Sequence, residues 1–370
     1  MLDRLVRSQM EGVELFHVRM AFSKNMNEVG RFEIGKLFHL VFVVASIVWH
    51  RVRYGISNLY YPPAGPNRIP MFRDFVILIA TRWMFKRTIF HMQASGISTV
   101  YPKLGIVGRF LFRRAYFHAD AVIRLAEGTE QDAKKLSAKQ ELFVPNCADD
   151  VISQFTAASD SSRRSRNPNA PLNLLYLGTV CQTKGILDLV DACRLLDEQG
   201  IDFRLRVVGA FQPSDFESTV REKLEEHQLT SKIELCGQLV GDEKFQELVN
   251  ADVFCFPTFY ESEAFPCVLV EAMSFGLPVI STEWRGIPSI VENEKTGILV
   301  STNNPSELAE AIGRLNAESD FRLQLGSSGR ARYEQYFTTE RHVELMQNIF
   351  SDVCKSPTQS RGKEKLAVTR

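Results

Sequence analysis

Two acidic side chains, Glu263 and Glu271, have the clearest potential for chemistry in this sequence. Glu271 is the only charge in the apolar run Cys267 to Phe275, which follows Pro266, precedes Gly276 and is predicted to be a helix. Helical side chains lean toward the helix N-terminus, so Glu271 is expected to point back toward the loop that carries Glu263. Two carboxylates beside a helix N-terminus suit a polyhydroxylated, phosphorylated ligand, because hydroxyls donate to the carboxylates and phosphate binds the backbone N–H groups.

The elements that must position these carboxylates can be recognised on both sides of them. Val253 to Phe256 is a short apolar run ended by Pro257, which is typical of a buried strand, and Leu277 to Ser281 begins the next strand. Strand, loop, helix and strand in this order form half of a parallel nucleotide-binding sheet, whose ligands bind at the carboxyl ends of the strands. A second interpretation stays open, in which Glu271 pairs with a core lysine or arginine and Glu263 is solvated.

The composition indicates two domains of opposite charge. The chain has 370 residues, 45% of them hydrophobic and 24% charged, which is enough for two domains. Residues 1–150 contain 21 Lys and Arg against 13 Asp and Glu, a net of +8, and the rest contain 23 against 31, a net of −8. The seven scattered cysteines lack metal-ligand spacing and indicate reduced thiols of a cytosolic protein. No cleavable signal sequence is recognisable, and the apolar stretch Leu37 to Trp49 is shorter than the about 20 residues that cross a bilayer.

Strand and helix patterns alternate along both halves, which predicts doubly wound parallel sheets. The predicted strands are 12–22, 56–61, 88–91, 121–125, 142–144, 173–177, 203–209, 233–237, 253–256 and 277–281. The predicted helices are 34–53, 73–85, 104–118, 130–136, 186–199, 267–275 and 337–353. The polar, aperiodic segment 156–171 predicts a linker between domains 1–155 and 172–336. The polar tail, 355–370, is predicted to be disordered.

The spacing of Glu263 and Glu271 resembles the E-x7-E signature of retaining GT-B glycosyltransferases of group 1 (family 4). Flanking segments fall in the family's order: Ala251-Asp252-Val253-Phe254, Pro257-Thr258, Glu271-Ala272-Met273, Gly276-Leu277-Pro278-Val279-Ile280, Gly286-Ile287-Pro288 and Thr296-Gly297-Ile298-Leu299-Val300. The resemblance implies an α/β, GT-B fold of two Rossmann-like doubly wound domains facing a cleft. It also implies that the terminal helix 337–353 crosses back to the first domain.

The first half is similar to the N-terminal domain of the same family, with two departures. The similarity is carried by Phe90 to Gly96, Arg113 to Tyr116, Ala119 to Ile123 and Pro145 to Asp149. The family's first strand and Gly-rich turn have no counterpart after Met1, which implies an incomplete N-terminal domain, either truncated or descended from a member that lost this piece. The family's sugar-contacting histidine aligns with Gln93, and His91 is the nearest histidine. A core position for His91 is the alternative.

The resemblance also implies a donor site in the second half. Lys184 matches a lysine that binds the donor diphosphate, and a lysine beside a helix N-terminus can bind phosphate without metal. Glu263 would hold sugar hydroxyls and Glu271 the ribose. Thr179 replaces an arginine that often follows the glycine, here Gly178, so one phosphate partner is missing. The remaining implied donor contacts are the base-lining loop with Leu239 and Val240, and the phosphate-binding segment with Ala264, Phe265 and Pro266.

The implied activity is transfer of a sugar from a nucleotide-diphosphate sugar to an acceptor hydroxyl with retained anomeric configuration. A phosphate oxygen of the donor takes the proton, so no protein nucleophile is needed, and the absence of an Asp-x-Asp motif indicates no metal or other cofactor. The expected acceptor is a polysaccharide or a lipid-linked carbohydrate, and no nucleic acid partner is indicated. Two alternatives stay open: a nucleotide-sugar-binding protein without turnover, and a nucleotide-sugar epimerase.

A basic stretch predicts weak association with an anionic membrane surface. Seven basic and no acidic residues lie between Phe75 and His118, a pattern that suits anionic lipid or a phosphorylated acceptor. The helix predicted at 34–53 could also lie on a membrane, but a buried, sheet-covering helix has the same pattern and is preferred here. The expected location is therefore the cytoplasm, at the inner face of the membrane.

Overall fold

The computed structural model describes residues 2–8, 10–20, 34–155, 170–354 and 364–369. The chain divides into two compact units: unit 1 is Met1–Asn146 with Glu340–Arg370, and unit 2 is Cys147–Thr339. The division therefore falls before the predicted end of the first domain at residue 155. Residues after Asn146 belong to unit 2 because they pack there: the Phe155 ring lies 5.6 Å from the Phe245 ring. All but the last two positions of the predicted linker 156–171 lie outside the described residues.

Unit 1 is built on a six-stranded parallel sheet with the order β1-β12-β2-β3-β4-β5. The strands are β1 Val13–Val18, β2 Asn58–Tyr61, β3 Arg87–Met92, β4 Ala121–Arg124, β5 Glu141–Phe143 and β12 Glu364–Thr369. The helices of unit 1 are α1 Leu2–Arg7, α2 Ile34–Tyr54, α3 Arg68–Thr81, α4 Ile106–Tyr116, α5 Asp132–Lys135 and, at the far end of the chain, α13 Thr339–Cys354.

Two apolar clusters cover the two faces of the unit 1 sheet, because successive strand side chains point to opposite faces. One cluster joins Leu59 and Phe90 of the sheet to the buried sides of α2, α3 and α4. The other joins Tyr60 and Ile89 to α1 and α13, and it includes Phe350. Strands β2 and β4 are buried at every position, as expected for parallel strands that helices cover on both faces.

The predicted disorder of the tail 355–370 is wrong for its last part. Residues Glu364–Thr369 form β12, which pairs in parallel with β1 and β2 at an inner position of the sheet. A polar composition argues against an independent core, but a strand that lies between two partner edges gains backbone hydrogen bonds on both sides. The prediction that the N-terminal domain is incomplete stays a prediction.

Unit 2 contains a second six-stranded parallel sheet, with the order β11-β10-β9-β6-β7-β8. The strands are β6 Leu172–Leu177, β7 Phe203–Val208, β8 Ile233–Gly237, β9 Val253–Phe256, β10 Val279–Thr282 and β11 Gly297–Val300. The helices are α6 Ile152–Phe155, α7 Ile186–Glu198, α8 Phe216–Glu226, α9 Asp242–Asn250, α10 Cys267–Ser274, α11 Pro305–Ala317 and α12 Ser319–Tyr336. The chain runs outward from β6 to β8 on one side and from β9 to β11 on the other. The strand order therefore reverses between β6 and β9.

The predicted α/β class with two parallel, Rossmann-like sheets is confirmed. The helix predicted at 34–53 covers the sheet as preferred, because Leu40, Val43 and Ile47 of α2 pack in the cluster that includes Leu59 and Phe90. Its outer side is exposed, with Phe38 at 76% and Val52 at 73%. Among the helices that the structure describes, none combines the length and apolar composition that a bilayer crossing requires.

Candidate functional site

The candidate site lies at the carboxyl ends of β6 and β9, where the strand order of unit 2 reverses. Ligands of doubly wound sheets bind at this kind of switch point, outside the carboxyl ends of the strands. The loop after β6 contains a 3₁₀ turn, Gln182–Lys184, followed by Gly185 with φ +75°. A Cβ on Gly185 would lie 2.0 Å from the Pro257 carbonyl oxygen. A side chain there would therefore separate the two loops.

The loops after β6 and β9 are joined by a backbone hydrogen bond and by a side-chain ion pair. Phe259 N donates to the Thr183 carbonyl over 2.8 Å, and Lys184 forms an ion pair with Glu263 Oε2. The Thr258 hydroxyl lies 3.2 Å from the same carboxylate oxygen. The side chains of Lys184 and Glu263 are only 16% and 9% exposed. Glu263 is thus neither solvated nor isolated, and the alternative that left it in solvent is wrong.

Aromatic rings complete the surroundings of the Lys184 ammonium group. Its Nζ lies 4.8 Å from the ring centroid of Tyr260 and 5.3 Å from that of Phe256, distances at which ring quadrupoles attract a cation. Trp284 Nε1 donates to the Tyr260 carbonyl over 2.9 Å, which ties this loop to the segment after β10. An ammonium group has three N–H donors, so Lys184 can bind Glu263 and still present a cation to an anionic ligand.

Glu271, on α10, meets a lysine that the sequence analysis did not single out. Lys244 Nζ donates to Glu271 Oε1 over 2.9 Å, and the two side chains are 20% and 23% exposed. The alternative of a lysine partner is therefore correct, but the pair lies near the surface rather than in the core. Lys244 belongs to the first turns of α9, just after Leu239 and Val240. In the sequence, Lys244 was marked only by its position after the loop that, by the family resemblance, lines the nucleotide base of the donor.

The start of α10 can accept an anion. Pro266 occupies the N-cap position with φ −69° and ψ 103°, and no side chain caps the helix. Ala264 and Phe265 are buried, 5% and 6% exposed, and lead into the exposed Cys267. The first N–H groups of a helix have no intrahelical partner and carry partial positive charge. The segment Ala264 to Cys267 thus has the backbone chemistry of a phosphate site.

The other predicted donor contacts of unit 2 lie in loops after strands of the same sheet. Gly178 follows β6 directly, and a Cβ there would lie 3.2 Å from the Phe256 ring. The Thr179 carbonyl accepts a 2.8 Å bond from the buried Tyr176 hydroxyl. Leu239 is half-buried and Val240 is 67% exposed in the loop between β8 and α9.

The predicted sugar contact of His91 in unit 1 is wrong, because the ring is completely buried in strand β3. Its Nδ1 lies 2.6 Å from the Tyr60 hydroxyl, and its ring centroid lies 6.5 Å from that of His342. Burial, with the neighbouring His342 ring as the second cause, lowers the pKa of His91 to about 3. His91 is a neutral core side chain. Gln93, two residues later, is exposed at the carboxyl end of β3.

Two buried carboxylates hold the loops at that edge of unit 1. Asp132 accepts 2.9 Å bonds from the backbone N–H groups of Gly96 and Ser98, which follow Gln93. Asp74 accepts bonds from Ala64 N at 2.7 Å and from the hydroxyls of two buried tyrosines, Tyr61 at 2.6 Å and Tyr116 at 3.1 Å. Burial, with the Asp74 charge second, raises the pKa of both tyrosines. Neither aspartate is predicted from the sequence, since a single acidic residue in a helix carries no local sign of its loop partners.

Metal ligands do not cluster in the part of the chain that the structure describes: no three His, Cys, Asp or Glu side chains are arranged to hold an ion.

Sequence comparison finds similarity to glycosyltransferases. Residues 159–332 match the family model described as "Glycosyl transferases group 1". WcaL of Escherichia coli (strain K12), a glycosyltransferase assigned to colanic acid biosynthesis, is 35% identical over 156 residues, which are 41% of this chain and 38% of that protein. The chain thus spans about two fifths of the length of the first curated relatives that it matches.

Structure comparison extends the similarity to both units. The sucrose-phosphate synthase of Thermosynechococcus elongatus has a TM-score of 0.69 at 22% identity, covering 87% of this chain and 80% of that one. Anabaena HepE, solved in complex with UDP, has a TM-score of 0.68 at 17% identity, covering 84% and 82%. These identities show the fold alone. Residues 159–332 therefore match the group 1 glycosyltransferase model, and they lie in a chain with the two-sheet fold of solved GT-B glycosyltransferases.

Proposed function

We propose that this protein is a glycosyltransferase that moves a sugar from a nucleotide-diphosphate sugar to an acceptor hydroxyl and retains the anomeric configuration. The observation that carries the proposal is the Lys184–Glu263 pair at the switch point of unit 2, beside the uncapped start of α10. A cation, helix N–H groups and a carboxylate are together complementary to a sugar diphosphate. The match of residues 159–332 to group 1 glycosyltransferases supports the same activity.

Each residue of the site then has a physical role. Lys184 and the N–H groups at the start of α10 bind the diphosphate and stabilise the negative charge that develops on it as the glycosidic bond breaks. Glu263 accepts hydrogen bonds from sugar hydroxyls. Glu271 binds the ribose. When nucleotide is present, the Glu271 carboxylate leaves Lys244 or binds both Lys244 and the ribose. The base lies along Leu239 and Val240.

The chemistry needs correct positioning more than a reactive protein group. The acceptor hydroxyl attacks from the face that the diphosphate leaves, and a phosphate oxygen accepts its proton, so configuration is retained. The acceptor oxygen forms the new bond, the diphosphate oxygen is the leaving group, and the transferred proton balances its charge. No protein nucleophile or metal is required in this scheme. Binding the reactants together provides most of the rate gain.

The choice of donor and acceptor follows the relatives. HepE was solved with UDP and with UDP-glucose, which supports a uridine nucleotide as the first donor to test. WcaL is named for colanic acid biosynthesis, and CapM of Staphylococcus aureus is named for capsular polysaccharide biosynthesis. We therefore propose a growing polysaccharide or its lipid-linked precursor as the acceptor.

A donor-binding and turnover assay tests this function. Calorimetry with UDP and UDP-sugars is followed by nucleotide-release measurements with and without polysaccharide and lipid-linked acceptors. Glu263→Gln should abolish transfer while UDP still binds, whereas Glu261→Gln, in the same loop but exposed, should behave like the wild type. Donor binding without turnover on any acceptor would favour the non-catalytic alternative, for which Gln93 in place of the family's histidine and Thr179 in place of its arginine are among the motivating residues. A sugar nucleotide converted without acceptor would favour the epimerase.

We also propose that unit 1 associates with an anionic membrane surface, where a lipid-linked acceptor would lie. Residues 34–118 contain 12 Lys and Arg against one acidic residue, Asp74, which is buried. The helices α2, α3 and α4 lie side by side over one core cluster. Their outer surfaces, with the turn after α3, expose large apolar side chains: Phe38, Val41, Phe42, Trp49, Val52, Ile69, Phe72, Trp83, Ile106, Val107 and Phe110. Apolar groups among lysines and arginines suit the interface of an anionic bilayer.

Vesicle sedimentation tests the membrane proposal. The protein should sediment with phosphatidylcholine vesicles that contain phosphatidylglycerol and much less with phosphatidylcholine alone. Replacing Trp83 and Phe110 by serine should release it, whereas Leu323→Ser, an exposed apolar position of unit 2, should not. Equal sedimentation of all three proteins, or none with either vesicle, would contradict the proposal.

A further inference from the structure

The last described strand of the chain lies inside the sheet that the first residues begin. All six residues of β12 pair with β1, from Val13 opposite Glu364 to Val18 opposite Thr369. On its other side, Leu366, Ala367 and Val368 pair with Asn58, Leu59 and Tyr60 of β2. The pairing is parallel on both sides, so β12 is an inner strand. β1 lies at the edge of this sheet, and β12 is its neighbour in the strand order.

The space between β1 and β2 therefore has the width of a single strand. Neighbouring strands are about 4.8 Å apart, so β1 and β2 are separated by roughly 9.6 Å, too far to pair with each other. Without a strand between them, two facing rows of backbone N–H and C=O groups would lose their partners. Unpaired edges of this kind are costly when buried and bind other extended chains when exposed.

We propose that unit 1 contains a binding slot for an extended peptide, formed by the edges of β1 and β2 and occupied by residues 364–369 of the same chain. The recognition is strand addition, in which main-chain hydrogen bonds provide most of the affinity. The covalent link to α13 keeps the tail at a high effective concentration, so the tail outcompetes other peptides. This inference does not depend on the proposed function, because it rests on strand order and register alone.

The slot has a consequence for the carboxyl edge of the unit 1 sheet. In a parallel sheet all strands end at the same edge, and Thr369 lies opposite the last residue of β1. The tail thus holds β1 at the edge of the unit 1 sheet, because β12 is the strand that lies between β1 and β2. If the proposed glycosyltransferase function also holds, release of the tail should impair acceptor use and leave UDP binding by unit 2 unchanged.

Native cleavage of the full-length chain tests the slot. A protease site is placed within residues 355–360 of the full-length protein, which is then folded, cut and passed through gel filtration. We expect the released peptide, residues 361–370, to co-migrate with the body in a one-to-one ratio. A fluorescent copy of the peptide should replace the released peptide in the cut protein. It should bind the uncut protein at least about tenfold more weakly, because the uncut tail competes from within the chain. Separation of the peptide from a folded body during filtration would overturn the proposal.

A proline variant provides the second readout. Leu366→Pro removes an N–H from the inner strand and opposes its pairing, whereas Thr358→Pro, outside the paired residues, is the matched control. Hydrogen exchange of residues 13–18 should become at least about tenfold faster in Leu366→Pro only, with β9 of unit 2 unchanged. Equal exchange of residues 13–18 in both variants would contradict the slot.

Discussion

The ion pair between Lys184 and Glu263 allows a quantitative test of the candidate site. Removing one partner of a buried pair costs about 3–5 kcal/mol, because the remaining charge loses its partner while it stays out of water. Glu263 is the less exposed partner, with a side-chain exposure of 9% against 16% for Lys184. Lys184→Met should therefore destabilise unit 2 by ~3 kcal/mol, at the lower end of this range, and Glu263→Gln by ~1.5 kcal/mol, since the flexible ammonium group can reach solvent.

The double variant separates a pair effect from two independent losses. With neither charge present, we expect a loss of ~1.5 kcal/mol rather than the ~4.5 kcal/mol sum, a coupling of about 3 kcal/mol. Trp284 supplies the probe, because its Nε1 is bonded to the Tyr260 carbonyl beside the pair. Replacing Trp49 and Trp83 by phenylalanine leaves its fluorescence as the only tryptophan signal, so urea unfolding of unit 2 can be followed by itself.

Ligand binding gives the second half of the same prediction. Lys184→Met should weaken UDP binding by about 1.5–3 kcal/mol, the value of a hydrogen bond to a charged group, or roughly 10- to 150-fold. Glu263→Gln should leave UDP affinity within a factor of about three, because the lysine is retained. Lys295→Met is the matched control, since Lys295 is 75% exposed in its pair with Glu292 and such pairs contribute at most about 1 kcal/mol. Additive stability changes, or UDP affinity unaffected by Lys184→Met, would refute the reasoning.

Three further perturbations follow from particular contacts. Gly185→Ala should destabilise unit 2 by more than ~2 kcal/mol, because the new Cβ would lie 2.0 Å from the Pro257 carbonyl oxygen. Gly200→Ala is the control, since Gly200 also has a positive φ but faces open space, and it should cost about 1 kcal/mol in the same urea assay. Glu271→Gln should weaken UDP binding about tenfold, whereas Lys244→Ala should leave the UDP affinity undiminished. If calorimetry showed the same loss of UDP affinity in both variants, Lys244 itself would be a ligand contact. His91 binds protons more weakly in the folded protein, where its pKa is about 3, than in the unfolded chain, where it is about 6.5. The free energy of unfolding of unit 1 should therefore fall as the pH drops below about 6.5, and the His91 share of this loss should reach about 2 kcal/mol at about pH 5. His91→Gln should remove that share of the pH dependence of unit 1 unfolding, and an unchanged pH profile would contradict the buried, neutral ring.

Local sequence determined the strands β6 to β10 and the helices α7 and α10 of unit 2, whereas β11 and the helices α8, α9, α11 and α12 were not predicted. Val253 to Phe256 is apolar and ends at a proline, and it forms β9 over the same residues. Gly276, predicted to cap the helix that carries Glu271, has φ +68° just after α10 ends at Ser274. These features depend on neighbouring residues, because turn geometry, helix caps and apolar periodicity involve only a few positions at a time.

The same local signals could not decide what each side chain meets. The family resemblance implied a sugar contact for His91 as the histidine nearest to Gln93, but the alternation of the sheet directs its ring into the core beside Tyr60. Asp74 and Asp132 hold loops through backbone N–H groups that the sequence did not link to them. Burial of a polar group requires a partner, and which partner is near depends on the order of the strands.

The sequence by itself thus determined the fold class, the E-x7-E segment and the position of Lys184 at a loop after a strand, because each depends on a short stretch of chain. Only the tertiary structure decided that Glu263 meets Lys184 across 79 positions, that Glu271 meets Lys244, and that residues 364–369 lie between the first two strands. These contacts depend on which strands become neighbours, and that order is a property of the whole sheet, because each strand is stabilised by edges contributed from distant parts of the chain.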